Sequence, residues 1–204
     1  MIKVMQLYPN HLNLNGDGAN ALVLTQRAKW SGLQSNLLMV NPGEVPNSRP
    51  DVLVIGHGST AAWKQIYGEF ARLVPLIAVW MEQGTQVIAV SSGYAALHGL
   101  LPGLPHSIER AERKSIFVVE DFEGEQVHGY RNSDLVLPNI VRHENLIGTM
   151  LHGPLLAKSS WLADEIISKV AKGVSRAEIH VAKLDEIEAL AIAARKLAAE
   201  QAND

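Results

Sequence analysis

Three short segments carry residue types that can do chemistry. The first is Val87 to Leu97, an apolar run that stops at Ser91-Ser92-Gly93 and continues as a short helix from Tyr94. A strand that turns this sharply into a helix projects one side chain from the carboxyl end of a sheet. It also brings backbone N–H groups beside that side chain, the arrangement of a nucleophile elbow with an oxyanion site. Ser91 takes the projecting position. The same spacing also fits a simple helix cap by Ser91 or Ser92. The second segment is Gly56-His57-Gly58-Ser59, which follows the apolar run Asp51 to Ile55. Ligands of open α/β sheets bind at such strand ends, and small residues let backbone N–H groups come close to them. An ordinary βα turn has the same pattern. The third is Gly148 to Leu156, where Gly153 and Pro154 fix the backbone after His152. A histidine held opposite an elbow is a general base; a lone histidine also serves as a structural residue.

These segments need a parallel sheet to hold them. Short β-type runs alternate with helical stretches along the chain, the pattern of a sheet flanked by helices. Strands are expected up to Leu7, over Asn36 to Val40, Asp51 to Ile55 and Gln86 to Val90. Further strands are expected over Ser115 to Val119, Gln126 to Tyr130 and Leu146 to Leu151. Ala21, Leu24 and Ala28 have helical spacing before Gly32. A long helix is expected from Thr60 to Gln83, broken near Pro75 because the ring removes a backbone donor. Helices are also expected over Ser160 to Val170 and Leu184 to Gln201. The last one places Leu184, Ile187, Ala191 and Ala194 on one stripe that docks onto the domain. Tyr8 to Gly18 and Gly99 to Glu109 are expected as loops.

Composition narrows the classes. The chain has 204 residues, a net charge of −3, 47% hydrophobic and 19% charged residues, and no cysteine. It is long enough to bury a full α/β core, roughly 70% of its unfolded surface. It has no basic field for nucleic acid. Its longest apolar run, Leu73 to Met81, is far short of the about 20 residues that insert in a bilayer. Met1-Ile2-Lys3-Val4 lacks the apolar core of a signal peptide, so a cytoplasmic location is expected. The missing cysteines exclude disulfides, thiolate metal sites and a cysteine nucleophile. There is no P-loop and no GxGxxG, so no nucleotide cofactor is expected on this chain. His57 and His98 with His152 lack a carboxylate at ligand spacing, and no metal site is expected.

The motifs resemble a known family. Leu12 to Asn20 reads LNLNGDGAN and is similar to the NLxGDxGN signature of the GatD-type, CobB/CobQ-like class I glutamine amidotransferases. Leu7-Tyr8-Pro9, Arg27 and Trp30-Ser31-Gly32 fit the same pattern. VSSGY at Val90 to Tyr94 falls on the family's ICGGYQ elbow, and GYRN at Gly129 to Asn132 on its GFEN. LHGPLL at Leu151 to Leu156, followed by Lys158, is nearly identical to the family's histidine motif. In order and spacing the resemblance covers about residues 4 to 170. It implies a three-layer αβα, flavodoxin-like fold with a mostly parallel sheet, as one domain over residues 1–204 with a C-terminal helix at about 184–201.

The resemblance also implies a reaction. An elbow cysteine attacks the side-chain amide of glutamine, a histidine moves the proton, and ammonia is released. In this family the ammonia passes to MurT, a Mur-ligase-like partner that binds ATP and amidates D-glutamate in lipid II, a step of peptidoglycan synthesis. Ser91 and His152 take the catalytic positions. Gly56, His57, Gly58, Ser92, Arg110 and Asn132 take positions near a glutamine-like substrate. Pro154 stands where many class I amidotransferases carry an acid, in keeping with the Cys-His dyad of this subgroup.

The chain departs from the family at the same site. Ser91 replaces the cysteine, Ser92 the next glycine, and Ala95 the glutamine after the tyrosine. The GGGQ loop is Gly56-His57-Gly58-Ser59. Ser133 and Leu135-Val136 replace a histidine and a following GR, and Ala111, between Arg110 and Arg113, stands where the family has an arginine. A cysteine thiol starts near pKa 8.5 and yields a thiolate readily, whereas a serine hydroxyl needs a well-oriented base throughout attack. Little or no glutaminase activity is therefore expected. So many changes in one site point to natural divergence rather than one engineered substitution. Three readings stand side by side: a glutaminase subunit feeding a ligase, a pseudo-amidotransferase that binds a small ligand or docks a partner, and a serine hydrolase. The last needs an acid for His152, with Asp17 and Asp134 as candidates.

Overall fold

The computed structural model describes residues 1–171 and 182–201. Four short runs rich in Val, Ile and Leu form β1 (Ile2–Leu7), β2 (Ser35–Val40), β3 (Val52–Ile55) and β4 (Gln86–Val90). With β7 (Ile140–His143) and β8 (Leu146–Thr149) they make a six-stranded sheet in the order β2-β1-β3-β4-β8-β7. All neighbours pair in parallel except β7, which is antiparallel to β8 at the edge. The central strands are buried on both faces, as parallel strands under two helical layers must be.

Alternation along the strands divides the core in two. Val4, Val52, Val54, Ile88 and Ile147 pack on one side with α1 (Ala19–Trp30) and α5 (Ser160–Val170). Met5, Leu53, Ile55, Val87 and Ala89 pack on the other with α2 (Thr60–Glu82). This is the expected three-layer αβα arrangement with a mostly parallel sheet. A second, antiparallel sheet joins β5 (Arg110–Phe122), β6 (Glu125–Leu135) and the two-residue β9 (Leu151–His152). Two short helices complete the site region, α3 (Ser92–His98) and α4 (Leu155–Lys158). The last helix, α6 (Ala182–Gln201), matches the expected C-terminal helix within two residues at its start.

Four expectations need correction. α2 runs unbroken through Pro75. Pro75 lies on the solvent-exposed side of the helix, while Ile66, Phe70, Val74, Ile77 and Trp80 keep a continuous buried stripe. Leu146 to Leu151 is not one strand: the chain leaves the main sheet after Thr149 and enters the small sheet at Leu151. A local hydrogen-bond set fixes that change. Thr149 Oγ1 donates to the Asn139 carbonyl at 2.9 Å and accepts from Leu151 N–H at 3.0 Å. β5 and β6 are longer than expected and β7 was not expected at all; a mostly exposed hairpin strand and a four-residue edge strand carry little apolar alternation to detect. On α6, Leu184 is buried and Ile187 and Ala191 half-buried, but Ala194 is exposed and Arg195 continues the stripe.

Candidate active site

The elbow forms as the spacing predicts. β4 ends at Val90, and Ser91 takes φ 48° and ψ −109°, a conformation that costs a residue with a Cβ and persists only where its surroundings enforce it. Helix α3 starts at Ser92, two residues earlier than expected, and the Ser91 side chain does not cap it. That removes the capping explanation for Ser91. The elbow sits against the end of β3 because Gly93 has no side chain. A Cβ there would lie 2.5 Å from the Gly56 carbonyl oxygen and 2.9 Å from that of Ile55. Gly56 is equally constrained, since its Cβ would meet the Leu12 carbonyl oxygen at 2.0 Å.

His152 is brought in by β9. Its ring is buried, and both carboxylate oxygens of the fully buried Asp17 lie 3.2 Å from its Nδ1. Asn15 Nδ2 lies 3.0 Å from the same nitrogen. Carboxyl oxygens accept, so the tautomer that pairs with Asp17 is the one with the hydrogen on Nδ1. This leaves Nε2 as the basic nitrogen. Nε2 is buried and has no hydrogen-bond partner among the described residues. The acid for His152 is therefore Asp17. Its loop is pinned both to itself and to the β3 end: Gly18 N–H donates to Asn13 Oδ1 and Leu14 N–H to the His57 carbonyl. Asp134 pairs instead with Arg110.

His57 and Ser92 form a close network. Ser92 Oγ accepts from Gly58 N–H at 3.0 Å and from Trp63 Nε1–H at 2.8 Å. It also lies 3.0 Å from the Gly58 carbonyl and 2.9 Å from His57 Nδ1. Ser92 N–H donates to His57 Nδ1 at 3.3 Å. The His57 and His152 rings meet edge to face with centroids 5.0 Å apart. Burial, followed by the neighbouring His152, lowers the pKa of His57 to about 4, so it is neutral at pH 7.

A cavity of about 600 Å³ opens beside the elbow. Ser91, Ser92, His57, Gly58, Arg110 and Arg113 all line it. Gly56 stands behind this lining as the close-packed glycine. Asn132 is one step back, its Oδ1 accepting from Arg113 Nη1 at 3.1 Å and from Ser115 Oγ at 3.2 Å. Between Arg110 and Lys114 the register of β5 against β6 breaks, four residues advancing against two. That irregularity puts Arg110 and Arg113 on one cavity, while Ala111 lines a different one. Partial burial pushes the Asp134 carboxyl up, but the hydrogen bond from Arg110 and the charges of both arginines outweigh it and hold it low. The mouth thus carries two guanidinium groups against one carboxylate, a balance suited to an anionic ligand group. Trp63, Arg113 and Asn15 were not singled out as site residues from sequence; only their place next to the loop and bulge reveals them. His98 instead donates to the His106 carbonyl at 2.7 Å. Among the described residues no group of three or more His, Cys, Asp or Glu could hold a metal, and no helix is long and apolar enough to cross a membrane.

Comparison with known proteins agrees with the fold. A solved glutamine amidotransferase from Thermotoga maritima superposes with a TM-score of 0.52 at 14% identity, covering 100% of this chain and 99% of the other. A chain of the PurLQS structure from the same organism gives 0.50 at 15% identity, covering 84% and 96%. No family model matches the chain. The fold is that of the class I glutamine amidotransferases. By sequence, the chain is 24% identical, over 206 aligned positions, to subunit GatD of the glutamine-hydrolysing lipid II isoglutaminyl synthase of Staphylococcus aureus. That alignment covers 84% of this chain and 85% of the relative. Within that fold class, the sequence is similar to this GatD subunit.

Proposed function

We propose that this chain is the amidotransferase-fold subunit of a two-part ligase, docking a Mur-ligase-like, MurT-type partner that amidates D-glutamate in lipid II, in the cytoplasm. Its cleft keeps a place for glutamine or a related small amide. Its own glutamine hydrolysis is silent, which makes it a pseudo-amidotransferase. The observation that carries this reading is Ser91 on the strained elbow, in a chain without cysteine. Ser91 stands at the nucleophile position and His152 at the base position that the resemblance implies, but His152 Nε2 makes no hydrogen bond to Ser91 and the group that gives a ready thiolate is absent.

The Asp17–His152 pair favours a second reading, a serine hydrolase with Ser91 as nucleophile. It has the acid that such a triad requires.

Ammonia release and complex formation test the first reading. The purified chain is expected to release no ammonia from glutamine above background, alone or with a Mur-ligase-like subunit, and to co-elute with that subunit on size exclusion. Glutamine turnover by the unaltered chain, or no complex at micromolar concentrations, overturns it. Turnover of simple esters by the unaltered chain, lost in Ser91→Ala, supports the second reading.

A further inference from the structure

We propose that His57 and Ser92 close the oxyanion site, so that this cleft does not stabilise a tetrahedral adduct at position 91 whichever nucleophile stands there. The inference deepens the reading of a silent amidotransferase subunit and rests on it for the choice of glutamine as ligand.

Attack on an amide or ester carbonyl turns its oxygen into an oxyanion. At a nucleophile elbow two backbone N–H groups receive it: that of the residue after the nucleophile, and one from a neighbouring strand-to-helix loop. In this chain the first is Ser92 N–H and the loop is Gly56 to Ser59. Ser92 N–H is engaged by His57 Nδ1 and Gly58 N–H by Ser92 Oγ. The capping groups are themselves satisfied. A hydroxyl has two lone pairs and one hydrogen. Both lone pairs of Ser92 Oγ take N–H donors, from Gly58 and Trp63, and its hydrogen has the Gly58 carbonyl or His57 Nδ1 within 3.0 Å. His57 is neutral and accepts at Nδ1. An incoming oxyanion would have to break this set before it gained a donor. Both side chains involved stand where the resembling motifs carry glycine, which has nothing to place there.

The test separates the nucleophile from the oxyanion site. In the full chain, Ser91→Cys is compared with Ser91→Cys/Ser92→Gly and with Ser91→Cys/Ser92→Gly/His57→Gly. The probe is p-nitrophenyl acetate. The thiol sulfur attacks the carbonyl carbon, its proton passes to His152 Nε2, and the carbonyl oxygen holds the negative charge until the C–O bond breaks and p-nitrophenolate leaves. Water then cleaves the thioester to acetate and the free thiol. Alkylation by iodoacetamide, a displacement that forms no oxyanion, reports the thiol alone. The expected result is a rise in kcat/KM for the ester of about 100-fold or more in the opened variants, the size of one oxyanion donor, with alkylation rates unchanged. If the triple variant does not fold, Ser91→Cys/Ser92→Gly carries the comparison. Equal ester turnover by Ser91→Cys and the opened variants overturns the proposal, as does a parallel rise in alkylation. Glutamine is then assayed with the same proteins. Opened variants that turn over the ester but not glutamine uphold the closed oxyanion site and overturn only the place kept for glutamine in the cleft.

Discussion

Asp17 and His152 stand 135 positions apart, and the fold sets both carboxylate oxygens of one 3.2 Å from Nδ1 of the other. Neither side chain is more than 2% exposed. This pairing fixes the tautomer that leaves Nε2 basic, which makes Asp17 a positioning residue. In a Ser91→Cys background, Asp17→Asn is expected to slow iodoacetamide alkylation about tenfold and to shift its pH profile, because the amide no longer holds the proton on Nδ1. A merely structural Asp17 would change stability and leave that profile in place.

The conformation of the elbow depends on the missing side chain of Gly93. Gly93→Ala would drive a methyl into two backbone carbonyls, atoms that cannot swing aside. We expect a loss of about 2 kcal/mol or more in urea unfolding. Gly99→Ala, whose Cβ would meet nothing closer than 3.5 Å, is expected to be neutral or slightly stabilising.

Helix α1 is tied to α5 by a bidentate ion pair, Arg27 Nε and Nη2 to the two oxygens of Asp164 at 2.8 and 2.7 Å. Both side chains are less than a tenth exposed. Removing one partner leaves a buried charge alone, so Asp164→Ala is expected to cost about 3–5 kcal/mol. The double change Arg27→Met/Asp164→Leu, measured in the same denaturant series, is expected to recover most of that loss.

His57 makes stability depend on pH. Its pKa falls from 6.5 to about 4 on folding, chiefly by burial. Between those values the unfolded chain holds a proton that the folded one lacks. The contribution is thus intact above about pH 6.5 and is lost as pH drops towards 4. Its ceiling is about 3 kcal/mol, and solvent in the open cavity reduces it. His128 shifts in the same direction and adds to the slope. Denaturation midpoints of the unaltered chain should fall across this range, and those of His57→Gln should fall less steeply.

The alternation of apolar runs with helical spacing revealed the sheet and its flanking helices, because strands buried on both faces are mostly apolar. Ser91 and His57 were legible for a related reason: each follows such a strand, where the chain has to turn. Arg113 was not. Its place on the cavity comes from a break in β5 register, and nothing in Arg110 to Lys114 announces which residue will be out of step. Asp17 could be named only as a candidate, since no local spacing links it to a residue 135 positions on. Pro75 was misread because the rule about its missing donor ignores which side of the helix it faces.

The change of sheet after Thr149 has a mechanical consequence. Ser91 follows a strand of the large, mostly parallel sheet, whereas His152 belongs to the small antiparallel one, and Met150 lies between them. The gap between Ser91 and His152 therefore records how two sheets are seated on each other. A change in that seating would alter the gap without touching either residue.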